Sequence, residues 1–268
     1  MTTSAPPLWP HCAHGADPAA DSVGCRGIHV PGHTACLAHL ADADRDAYLA
    51  SLTAGASIDH RGTTFTSRLL NSLLRALRDP TTGHPRFGIA EFAGSTFESE
   101  AFFGEATFEG DAFFGEATFE RDAFFGEATF QHNTVFAEAT FKGEAFFGEA
   151  TFKLAGFGEA TFERDAFFGE ATFKDAEFGE SNFERDAFFR EAIFEHNAVF
   201  GAATFERNAW FGSTIFKDDA RFGETTFSGD AEFQSATFGG DASSSRRPSV
   251  ATPSSSRRPS WRLTSSGH

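Results

Sequence analysis

From Phe87 to Phe238 a phenylalanine returns every five or six residues, twenty-nine times in succession, and alanine stands two positions before most of them. A lattice that strict, running through more than half of the chain, constrains it to a solenoid in which each short segment is one wall of a coil. The bias toward one ring, 36 Phe against a single Tyr and a single Met, belongs to that lattice and not to ordinary globular usage.

The steps of five and six alternate to give an eleven-residue unit, a period that can also drive a helical supercoil. On an α-helix, however, successive lattice rings would fall about 130° apart, and no face could collect them. Extended segments do collect them: Ala at i−2 and Phe at i point inward together while i−1 points out. Taking every fourth segment, the outward residues read Phe102, Phe124, Phe146, Phe167, Phe188 and Trp210 on one wall. The opposite wall reads Glu91, Phe113, Val135, Gly156, Glu177, Val199 and Arg221, and the two intervening walls carry mainly Thr. Glu-Arg-Asp at 120–122, 163–165 and 184–186, and Glu-Arg-Asn at 206–208, all precede the aromatic wall. The three shortened steps, ending at Phe92, Phe157 and Phe178, all fall on the opposite wall. Four walls per coil accounts for these coincidences and predicts about seven coils, a rod roughly 34 Å long at the usual strand spacing.

Units such as AFFGE, ATFER and ATFKD resemble the pentapeptide repeat, which places a small residue two positions before a central Leu or Phe. The resemblance implies an all-β solenoid, a right-handed quadrilateral β-helix, with the sixth residue of alternate units expected as stacked bulges at two opposite corners. The lead-in GCRGIHVPG, CLAHLADADRDAYL and IDHRGTTFT is similar to that of actinobacterial members of the family.

Around the repeat, residues 1–11 are Pro-rich and expected to be disordered. Residues 12–56 form a Cys/His module with a short amphipathic helix through Leu37, Leu40, Tyr48, Leu49 and Leu52, ended near Gly55. Residues 57–86 supply a strand from Ile58 to Phe65 and a helix from Ser67 to Arg78, whose leucines recur at three and four residues before the Asp79-Pro80 stop. A bare solenoid end exposes unpaired backbone and apolar cross-section, so this helix reads as a small N-terminal cap on the β-helix of residues 87–241. Residues 242–268 are basic and low in complexity, contain SSSRRPS twice, and are expected to be disordered. RRPS resembles a basophilic kinase site, though duplicated low complexity explains it as well.

Of the net charge of −16, residues 87–241 carry 31 acidic and 10 basic side chains. The Glu of each FGEA, from Glu105 to Glu191, forms acidic columns that keep a β-rod solvated. No run of eighteen apolar residues and no signal-peptide pattern occurs, which points to a cytoplasmic protein with no membrane segment. Three cysteines in a reducing compartment favour metal or free thiols over a disulfide framework. Cys12, Cys25, Cys36 and His39, spaced C-x12-C-x10-C-x2-H, are candidate tetrahedral ligands for a structural Zn2+, with His14, His29 and His33 as possible substitutes. A Cys-His nucleophile pair has no orienting acid or oxyanion hole in view, and GxGxxG and GK[ST] motifs are absent, so no enzyme is read.

The aromatic column from Phe102 to Trp210 reads either as a self-supporting ladder or as a contact face for a protein partner or a second copy in a homodimer. The leading reading is a non-enzymatic scaffold or protein-interaction module. The alternative, which the family resemblance implies, is a DNA-mimicking modulator of a type II topoisomerase, gyrase. Direct nucleic acid binding by so acidic a rod is not expected.

Overall fold

The computed structural model describes residues 6–240 and the backbone of 242–243. The expectation for the basic tail from 244 onward lies outside the described residues. Parallel two-residue strands stack into four ladders, one per wall, about seven turns in all. The aromatic wall runs in register from Ala101–Phe102 through Ala123–Phe124, Ala145–Phe146, Ala166–Phe167, Ala187–Phe188 and Ala209–Trp210 to Ala231–Glu232.

Strands this short cannot fold alone. What holds them is the interior, where each lattice ring from Phe87 to Phe216 is buried. Rings of one wall stack in parallel, as in Phe103, Phe125, Phe147 and Phe168 with centroids 5.0 to 5.1 Å apart. Rings of facing walls meet edge to face, as Phe125 does Phe136 at 5.2 Å and 81°. Both are the arrangements an aromatic quadrupole favours. The alanines two before each ring are the small residues that leave room for them.

Backbone hydrogen bonds alternate in direction around the coil. The aromatic wall donates toward the C-terminal end (Ala101 N to Asp122 O, 2.9 Å), and a threonine wall donates toward the N-terminal end (Thr118 N to Ser95 O, 2.8 Å). Each coil is thereby bonded on both sides.

The corners come in two kinds. At the five-residue steps, Phe-Gly-Glu-Ala closes a turn, with Ala106 N donating to Phe103 O at 3.2 Å. Positive φ falls on the Glu and not on the Gly: Glu105 at 57°, Glu127 at 58° and Glu149 at 59°. At the six-residue steps, the place of the expected stacked bulges, most of the chain runs as bends whose carboxylate or amide side chains tie one coil to the next. Asp122 Oδ1 accepts from Glu144 N at 2.9 Å, and Asp186 Oδ1 accepts from Asn208 N at 3.0 Å. A register irregularity marks the place where a six-residue corner stacks on a five-residue one, between Phe130 and Asn133. Beyond it the shortened steps run as continuous strands, Thr151–Gly156 and Thr172–Glu177.

The solenoid begins before the first lattice Phe. The expected single strand from Ile58 to Phe65 is two rungs, Ile58–Asp59 and Thr64–Phe65, bent at Gly62 (φ 64°) and paired with Ala90–Glu91 and Thr96–Phe97. IDHRGTTF therefore lies on AEFAGSTF, and His60 takes the place of a lattice ring against Phe65 and Phe92. Helix α2, Ser67–Ala76, follows this first half-coil. Thr66 caps it by accepting from Leu69 N, and Leu69, Leu70, Leu73 and Leu74 are buried against the rings. Helix α1, Asp42–Ser51, packs beside it through Tyr48 and Leu49. Within residues 6–11, expected to be disordered, Trp9 donates its indole N–H to Arg26 O and lies under the Arg61 guanidinium, while Leu8 is fully exposed. At the other end the opposite wall gains one more rung, Ala242–Ser243.

Candidate metal centre and aromatic face

The Cys/His cluster is assembled by backbone pairing between distant pieces. Residues 11–14 run antiparallel to 25–28, through Cys12 N to Gly27 O at 2.8 Å and Cys25 N to His14 O at 2.9 Å, which sets Cys12 beside Cys25. A turn in which His39 N and Leu40 N both donate to Cys36 O brings Cys36 and His39 onto the same side. Ile28 N donates to Arg61 O at 2.8 Å and fastens this unit to the first coil.

The ligand atoms of Cys12, Cys25, Cys36 and His39 all lie within 4.8 Å of one another. Cys25 Sγ is 3.7 Å from Cys36 Sγ, and His39 Nδ1 is 3.4 Å from Cys36 Sγ and 3.5 Å from Cys12 Sγ. A tetrahedral zinc with ordinary Zn–S and Zn–N bonds requires edges of about 3.5 to 3.8 Å. The four side chains lie close together and can hold a metal ion.

The hydrogen bond between the two thiols pulls Cys25 down to about 5 and pushes Cys36 upward. Gly27 N also donates to Cys25 Sγ at 3.4 Å. The other histidines of the segment have different partners. The His14 ring stacks on that of His39 at 4.1 Å, His29 Nε2 meets His11 O at 2.8 Å, and His33 lies 3.9 Å from Asp44. A groove of about 490 Å³ bordered by Cys25, His39, Thr64, Thr66 and Glu98 lies beside the cluster.

Sequence reasoning passed over two residues at this site, Gly27 and Thr63. The signal for Thr63 was the alignment of IDHRGTTF with AEFAGSTF, which puts it in the small inward slot of a coil.

On the aromatic wall, Phe102, Phe124, Phe146, Phe167 and Phe188 stack at 4.8 to 4.9 Å with planes within 8° of parallel, and Trp210 continues the column at 6.4 Å. Ring faces are spent on one another and ring edges look outward. Phe102, the terminal ring, is 52% exposed. Exposed residues line both margins: Glu127, Glu149, Glu170 and Glu191 along one corner, Arg121, Arg164, Arg185 and Arg207 along the other. Among the described residues none of these eight forms an ion pair.

A parallel four-walled β-solenoid with one inward ring per wall defines the class of protein. A family model described as pentapeptide repeats (9 copies) matches residues 125–172, and the coil geometry fits a pentapeptide repeat protein. Comparisons with curated proteins and with solved structures gave no match. Among the described residues no helix is long and apolar enough to cross a membrane.

Proposed function

We propose that the chain is a non-enzymatic interaction module: a stiff acidic rod that presents its aromatic wall to a protein partner or a second copy, with a structural zinc ion held by Cys12, Cys25, Cys36 and His39 at its N-terminal end. The observation that carries this reading is the aromatic column itself. Inward rings account for the core, whereas six more rings form an outward ribbon edged by Glu and Arg side chains that form no ion pair among the described residues. Contact faces concentrate aromatic and Arg side chains in this way. A closed site of three thiolates and one imidazole leaves no open coordination position, which suits a structural and not a catalytic ion.

The test replaces Phe124, Phe146 and Phe167 together with Ser. The variant is expected to keep its β-solenoid circular dichroism while losing the partner captured by the wild-type protein, or the dimer mass seen by light scattering. Unchanged capture and unchanged mass would remove the wall from the proposal. The topoisomerase reading rests on the acidic columns alone. Its own measurement is gyrase supercoiling with and without the purified chain, where no inhibition and no protection would end it.

A further inference from the structure

We infer that Thr63 and Gly27 complete the metal centre from the rod's side, so that the bound ion latches residues 12–39 onto the first coil; this rests on the four-ligand reading above. Thr63 occupies the small inward slot two residues before Phe65, is fully buried, and its Oγ1 has no hydrogen-bond partner. A buried hydroxyl left unpaired is costly, and such groups call for an explanation. Elsewhere in the coil three hydroxyls in this slot donate to a carbonyl of the preceding coil. Ser95 Oγ reaches His60 O at 2.9 Å, Thr214 Oγ1 reaches Phe189 O at 2.6 Å, and Thr225 Oγ1 reaches Phe200 O at 2.6 Å. A fourth, Ser181 Oγ, donates to Phe178 O of its own coil at 2.7 Å, and Thr134 Oγ1, on the wall opposite the aromatic one, is buried without a partner.

Thr63 stands in the first coil, where no preceding coil exists. That level is filled by Gly27 and Cys36. A Cβ added to Gly27 would lie 2.8 Å from Cys36 Sγ and 3.1 Å from Thr63 Oγ1, so sulfur and hydroxyl crowd the same face of this glycine. It would also lie 2.6 Å from Cys36 Cβ, which leaves glycine as the residue that fits.

Metal binding converts Cys36 from a thiol into a thiolate that can only accept hydrogen bonds. Cys36 Sγ and Thr63 Oγ1 flank the same face of Gly27, so a metal-bound thiolate there, a stronger acceptor than the thiol, is offered to Thr63 in the part that a carbonyl plays for Ser95 and Thr225. Gly27 N–H already supplies the matching donor to Cys25. Donors of this kind around metal-bound ligands typically change affinity by about 10- to 100-fold when removed. Because Thr63 O also accepts from Thr96 N at 3.1 Å, the ion is coupled directly into the second coil.

The experiment titrates the full chain with Zn2+ against a chromophoric chelator and follows thermal unfolding with and without the ion. Thr63→Val is expected to bind zinc about 10-fold or more weakly while its zinc-free form melts no lower than wild type, since the substitution removes an orphaned hydroxyl without losing volume. Thr63→Ser should restore most of the affinity. Zinc should slow hydrogen exchange at the amides of Ile28 and Thr96 in wild type and less so in Thr63→Val. Equal zinc affinity for wild type and Thr63→Val, with Cys36→Ser abolishing binding, overturns the role of Thr63 and leaves the four-ligand site standing. Failure of the wild-type chain to take up one equivalent of zinc overturns both.

Discussion

His60 is the ring of the inner lattice that can take up a proton. It is fully buried between Phe65 and Phe92, its Nε2 lies 3.3 Å from the Tyr48 hydroxyl, and its Nδ1 has no partner. Burial pushes its pKa from the ordinary 6.5 down to about 4, against a smaller opposite pull from Asp59, and burial likewise raises Tyr48 to about 12. The folded value lies below the unfolded one, so the unfolded chain protonates first as pH falls. Stability supplied by neutral His60 is complete above pH 6.5 and is lost on the way down to about pH 4, by about 3 kcal/mol for a shift of this size. His60→Phe should flatten that window. Urea midpoints at pH 7 and pH 4.5 are expected to differ by less in the variant than in wild type; equal differences would show that His60 does not titrate in this range.

At the scale of the turn, the five-residue corners are strained at a place the residue types do not suggest. In Phe-Gly-Glu-Ala the glycine is the obvious candidate for positive φ, yet Glu takes it, at 57° to 60° from Glu105 through Glu191. The turn asks for it at this position whatever residue stands there, since Ala202, Ser213 and Ser235 take φ of 57° to 60° as well. At the preceding position an added Cβ would stand 3.4 Å from a carbonyl in the next coil, Gly104 toward Gly126 O, an ordinary contact, and Ala137 and Arg190 occupy that place in other coils. The Glu backbone N–H is compensated by a bond to the same carbonyl, Glu105 N to Gly126 O at 2.9 Å. Glu149→Gly relieves the left-handed strain and adds unfolded-chain entropy, two effects of about 1 kcal/mol each and opposite sign, so its stability should change by less than about 1 kcal/mol. Glu149→Val places a β-branched residue at φ 59° and should cost about 1 to 2 kcal/mol. Denaturant midpoints of the two variants decide it, and a Val variant as stable as wild type would show that the corner relaxes.

The whole molecule behaves as a one-dimensional stack in which each coil is held by the coils on either side. Phe147 sits in the middle, with stacked partners above and below at 5.0 Å. Among the described residues Phe238 has one stacked partner, Phe216 at 4.8 Å, and it is incompletely buried. Phe147→Ala should therefore cost about 3 to 5 kcal/mol. Phe238→Ala should cost clearly less, because it frays an end and does not cut the rod. Unfolding followed by fluorescence at Trp210 and by circular dichroism should separate into two transitions for Phe147→Ala; one coincident transition would mean that cooperativity spans the defect. The same logic gives the N-terminal end its weight, since α2 together with Val30, Leu37 and Leu40 around the Cys/His cluster serves to close a cross-section that repeats cannot close for themselves.

The number of walls, the sorting of Phe102 through Trp210 onto one of them, and the inward role of each lattice Phe and of the Ala two residues before it were determined by the chain alone. They depend on strand alternation and on a repeat with a single solution, which local residue types carry in full. The first coil was legible too, in IDHRGTTF against AEFAGSTF, but His60 in place of Phe hid it. Tertiary structure alone decided what depends on distance between remote residues. It brought Cys12 and Cys25 within reach of Cys36 and His39, left Thr63 without an acceptor opposite Gly27, and passed positive φ from Gly to Glu. Spacing along a chain sets which atoms can share a face, whereas the approach of one coil to the next sets which of them must pair.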